Sequence, residues 1–181
     1  SAASDVYKRQ LLLTTSCNAY TELSDLGITS MLGLDYQNEE FIVYTTIIAD
    51  RDNQENKDKY KTYHATGKSL EEAFENIYIQ NSKKIYLSHM NLLVITENII
   101  DQQLTTMIKH FLTNSEYRNN FQIVTIKNNL EDLFNQEITA EEINKLILIN
   151  QKESGTTRSI DFETFLKDIP VSYTHLTLPT N

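Results

Sequence analysis

Cysteine is nearly absent from this chain of 181 residues: Cys17 stands alone. That excludes an intrachain disulfide and any structural zinc site built on several thiolates. Two prolines and four glycines rule out low-complexity linkers and collagen-like or loop-dominated folds. The glycines, at 27, 33, 67 and 155, are too scattered to cradle a phosphate, and no G-x-S-x-G, P-loop, G-x-G-x-x-G or H-E-x-x-H motif occurs. Positive charge is also scarce. Sixteen Lys and Arg face 25 Asp and Glu, for a net charge of -9. No basic cluster is available to release counterions from a nucleic-acid backbone, so no nucleic-acid partner is expected. Nothing in these motifs points to a catalytic residue, a cofactor or a metal.

What is present is enough apolar sequence, 40% of residues, for one globular domain with a sizeable core. The chain is organised around 83–97, KKIYLSHMNLLVITE, where Ile85, Leu87 and the run Leu92, Leu93, Val94, Ile95 read as a strand buried on both faces. Ser88, His89, Met90 and Asn91 interrupt it, predicting two extended pieces joined by a tight connection. Upstream, 26–35 and 41–48 alternate as a hairpin around a short turn, 36–39. Residues 50–61 carry almost no apolar side chain and read as a solvated loop, and 60–66 is a third strand.

Ser69 with Glu72 forms a capping box that opens a helix reaching about 81, with Leu70, Ala73, Phe74 and Ile77 on one stripe. Residues 98–113 repeat that logic. A strand at 121–127, a short helix capped by Asn128 or Asn129, a second capping box at Thr139 and Glu142, and a last helix over 160–169 complete the chain. The fold class expected is α+β: a mixed, largely antiparallel sheet packed with several amphipathic helices on one or both faces.

The ends differ from this body. Leu11, Leu12 and Leu13 lead through Thr14, Thr15 and Ser16 into Cys17, after which the chain turns polar. This looks like the end of a secretory h-region and resembles a bacterial lipobox, with Thr14 where Leu is commonest. The alternative for Cys17 is a buried free thiol. Residues 1–10 (SAASDVYKRQ) and 171–181 (VSYTHLTLPTN) resemble translated adapter sequence and are expected to be non-native flanks. The organisation expected is thus 11–17 as the remnant of a lipoprotein signal and 18–170 as the domain.

Of four histidines, His175 falls in the last flank and His110 sits on a helix among apolar neighbours. His64 and His89 remain as candidates, neither with a partner at metal-ligand spacing. His89 is expected to hydrogen-bond backbone at the strand break. The acidic pairs Glu71-Glu72 and Glu141-Glu142 fall in first helical turns, where the helix dipole favours them.

Several blocks are familiar in their order and spacing. They are Cys17 followed by Glu22-Leu23-Ser24-Asp25-Leu26-Gly27-Ile28, then Gly67-Lys68-Ser69-Leu70-Glu71-Glu72-Ala73, then Tyr86-Leu87-Ser88-His89 with 92–95, and finally Phe111-Leu112 with Glu116-Tyr117-Arg118. Over about residues 11–170 they resemble the C-subunit lipoproteins of spore nutrient-germinant receptors, the Ger(x)C (GerAC-like) spore germination family. The resemblance implies that Cys17 carries a thioether-linked diacylglyceryl group after cleavage behind Ser16. It implies a non-enzymatic, lipid-anchored subunit on the extracytoplasmic face of the inner spore membrane. That subunit would work with integral-membrane A and B subunits, and this chain would be its N-terminal domain. Two other classes stay open: an extracytoplasmic solute-binding lipoprotein, which needs a second lobe, and an exported lipid-anchored hydrolase, which needs a nucleophile and base in reach near His64 or His89.

Overall fold

The computed structural model describes residues 26–52, 57–81, 83–127, 129–136, 138–153 and 159–169; Cys17 and both flanks lie outside them. Strand β1 (Leu26–Gln37) and strand β2 (Glu40–Asp52) pair antiparallel through the hairpin expected at this point. The two connecting residues, Asn38 and Glu39, have φ of 52° and 64°, the left-handed pair of a two-residue type I′ turn.

Strand β3 (Lys57–Gly67) continues the meander antiparallel to β2. Here the expected loop at 50–61 is corrected. The ladder runs on through Asp50–Lys59, Arg51–Asp58 and Asp52–Lys57. Backbone pairing between antiparallel strands does not require apolar residues, and this register sets an acidic residue type against a basic one at each step.

Helix α1 (Leu70–Gln80) follows, its Ser69 hydroxyl accepting from the Glu72 amide at 3.2 Å. The Glu72 carboxylate accepts in turn from the Lys68 amide at 2.8 Å, one residue earlier than a standard capping box. The central stretch then divides as expected into strand β4 (Lys84–Tyr86) and strand β5 (Leu92–Thr96), both parallel to β1 and in line along its edge. A π-helical turn (Ile99–Gln103) precedes helix α2 (Leu104–Thr113).

Strand β6 (Gln122–Ile126) pairs parallel with β5. Helix α3 (Leu130–Phe134) is capped by the Asn129 side chain, and helix α4 (Ala140–Glu153) opens with a reciprocal Thr139–Glu142 box. The start of the expected last helix is instead a two-residue strand, β7 (Ile160–Asp161), antiparallel to β6. Helix α5 (Phe162–Asp168) begins only after Asp161 caps it.

The sheet order is β3-β2-β1-β5-β6-β7, with β4 beside β1. Alternation along β5 sends Leu93 and Ile95 into one core with α1, α2 and α5, and Leu92 and Val94 into a second core with α3 and α4. All five residues of β5 are buried, so helices cover both faces. Burial of each such aliphatic side chain contributes roughly 1.5–3 kcal/mol, which makes β5 the main anchor of the layers. Gly33 in β1 lets α3 approach: a Cβ there would lie 2.5 Å from the Phe134 ring.

Candidate functional site

Two buried polar clusters are built into these layers. The first closes the ends of β1 and β5. Asp35 is 3% exposed. Its Oδ1 accepts from the Tyr36 amide at 2.7 Å, the Thr96 hydroxyl at 2.5 Å and the Asn98 amide group at 3.1 Å, while Oδ2 accepts from Gln37 at 2.5 Å. Four donors converging on one carboxylate satisfy a buried polar group that has no cationic partner in this cluster. Asn98 gives its side chain to Asp35 rather than to the helix that follows, which starts with no side-chain cap and as a π-helical turn.

The second cluster lies among the helices on the α1–α2 side. His110, 8% exposed, places Nδ1 3.4 Å from Glu71 Oε1 on α1 and Nε2 3.2 Å from the Tyr117 hydroxyl. Its ring stacks parallel to Phe74 at 5.0 Å and edge-on to Phe111 and Tyr117 at 5.6 Å. Burial pulls the His110 imidazole below its ordinary range, against the opposing pull of the Glu71 carboxylate. Burial also drives the Tyr117 hydroxyl well up. Burial, then the neighbouring Glu116 carboxylate, pushes Tyr78 up to about 12. From the β4–β5 break, the Ser88 hydroxyl donates to the Glu116 carbonyl at 2.7 Å.

This cluster draws together blocks that are far apart in sequence: the start of α1, the Ser88 break, the end of α2 and the Glu116-Tyr117 turn. His110, set aside in the sequence as one more apolar-face residue, is its hub. Its partners are 39 residues back and seven residues on, and only the nearer could have been suspected from spacing.

The expected candidates are elsewhere. His64 stacks on Tyr44 at 5.4 Å and His89 tilts against Tyr86 at 5.6 Å. Neither is hydrogen-bonded to a hydroxyl of a described residue. The reading of His89 as a backbone partner is corrected, because the break closes through its own backbone: the Met90 amide donates to Leu87 at 3.0 Å and the Asn91 amide to Ser30 at 3.0 Å. His89 is exposed. Cys17, expected to carry lipid, is outside the described residues. Among the described residues no group of three His, Cys, Asp or Glu could hold a metal, and no helix is long and apolar enough to cross a membrane. An open cleft of about 920 Å³ between β6 and α3, with Lys127 and Asp132 on its walls, shares no residue with either cluster.

Compared with known proteins, residues 19–180 match the family described as the spore germination protein N-terminal domain. The chain belongs to that family. One relative of this spore germination family is "Spore germination protein KC" of Bacillus subtilis (strain 168), 22% identical over 175 residues. The alignment takes in 88% of this chain and 43% of the relative, so the chain spans less than half of that protein's length. No solved structure matches.

Proposed function

We propose that this spore germination domain is the N-terminal part of a non-enzymatic, lipid-anchored subunit of a nutrient-germinant receptor. In this reading it stands on the extracytoplasmic face of the inner spore membrane, held by lipid on Cys17, and assembles with integral-membrane A and B subunits. The observation that carries the reading is the family match over 19–180, which begins two residues after Cys17. Two acyl chains on one Cys are what stable anchoring needs. The geometry is compatible with a scaffolding or binding role: among the described residues the one buried His has its ring nitrogens engaged by Glu71 and by Tyr117, itself a buried residue.

The test uses the full-length gene with its own signal, comparing wild type with Cys17→Ala by lipid labelling, membrane fractionation and co-purification of membrane partners. Label and membrane association lost in the variant, with partners recovered only by the wild type, support the reading. A protein unlabelled and soluble in both forms overturns the anchoring, and spores lacking the gene that germinate normally on nutrients overturn the receptor role.

A further inference from the structure

We infer that the Glu71–His110–Tyr117 cluster is a proton-sensitive latch, holding the end of α2 and the following turn against α1 while His110 is neutral and releasing them when His110 takes up a proton. The inference does not depend on the receptor reading.

The argument starts with hydrogen-bond valence. A carboxylate only accepts, so the contact with Glu71 requires the proton of neutral His110 on Nδ1. Nε2 is then an acceptor, and the Tyr117 hydroxyl is its donor. The chain runs in one direction, Tyr117 O–H to Nε2 and Nδ1–H to Glu71, and every polar atom in it is used. Protonation puts a second hydrogen on Nε2, aimed at a hydroxyl that already points its own hydrogen there. Tyr117 is 7% exposed, and burial keeps its hydroxyl protonated, so it cannot yield by becoming a phenolate. Its hydrogen must then turn away from Nε2, on a ring already packed against Phe74 and Phe111.

The titratable groups that face His110 are Glu71 from α1 and Tyr117 from the turn, with Tyr78 of α1 and Glu116 of the turn next to Tyr117. Glu71 favours the imidazolium, but it is 66% exposed and its charge is shared with water. The face of Phe74 offers the cation some attraction as well. Burial of the ring outweighs both.

The sign of the pH dependence follows. A histidine whose folded pKa lies below its unfolded value of about 6.5 binds more protons when released. Closure of the latch is therefore at full strength above about pH 6.5 and weakens as pH falls through that value towards the folded pKa. Opening would undo the contacts that Tyr117 makes with Phe111 at 4.6 Å and that Glu116 makes with Ser88, freeing the turn that leads into β6.

The experiment is NMR on the full chain, following the His110 ring and the amide protection of residues 108–118 from about pH 8 to about pH 5, in wild type and His110→Gln. The expected result is a ring that titrates below about 6.5 and a protection factor that falls about tenfold per unit of that shift, the fall setting in near pH 6.5 and levelling off at the ring's midpoint. In His110→Gln, which keeps a donor and an acceptor but cannot titrate, protection over this range should stay flat. Should that variant not fold, a wild-type fall in protection confined between about pH 6.5 and the ring's midpoint decides the matter. Protection that does not change while the ring titrates, or that falls equally in His110→Gln, overturns the latch.

Discussion

Two carboxylates, Asp35 and Glu71, anchor the two polar clusters, and they do so in opposite ways. Asp35 is buried at the strand ends with four donors converging on it. Glu71 is two-thirds exposed and meets a single buried partner, His110. In the first cluster the charge is inside and the neutral donors are fixed by the sheet. In the second the charge is outside and the group that can acquire charge is inside. A buried acid with its donors satisfied makes a joint fixed by the sheet, whereas a buried base beside an exposed acid makes one that depends on solvent protons.

The sharpest way to break this contrast is Asp35→Ala. It removes the acceptor from four donors at once, and the two from Thr96 and Asn98 have no other described partner. A loss on the order of 3 kcal/mol is expected, read as a fall in the urea midpoint with an unchanged m-value. Thr96→Val tests one arm of the same cluster. A hydrogen bond to an ionised group contributes about 2 kcal/mol, so this variant should fall between Asp35→Ala and any single deletion in the His110 cluster. Tyr117→Phe is the matching deletion there: it keeps the stacking with Phe111 and removes only the hydroxyl donor to Nε2, for a cost of about 1 kcal/mol. If Tyr117→Phe proves costlier than Thr96→Val, the ranking of the two clusters is wrong.

The sequence carried the sheet's middle and the helix starts because both are written locally. The β5 run is apolar on consecutive positions, as burial on two faces demands, and the hydroxyl and carboxylate of each capping box lie three residues apart. The mixed sheet with its antiparallel hairpins was legible for the same reason. The clusters were not. Asp35 finds Thr96 and Asn98 at separations of 61 and 63 residues, and His110 finds Glu71 at 39, distances that only the β1–β5 and α1–α2 packing closes. Polar composition made 50–61 look like a loop because a ladder leaves no mark in hydrophobicity when its side chains need no core. The two-residue β7 is shorter than any period, so its residues passed for the first turn of α5.

The smallest change should be the most informative. Glu71→Gln keeps a side chain that can accept from His110 Nδ1 and removes only the charge. Because Glu71 is mostly in water, stability at neutral pH should shift by about 0.5 kcal/mol or less, within the usual range of an exposed pair. The titration of His110 should nevertheless move. The Glu71 charge is what holds its pKa up against burial, so the variant's ring should titrate lower than the wild type's and the loss of amide protection should follow it to lower pH. A merely structural hydrogen bond would leave that midpoint where it was. A midpoint that rises instead would mean that burial of the ring does not govern His110, and the contrast between a joint fixed by the sheet and a proton-dependent one would fail at its second term.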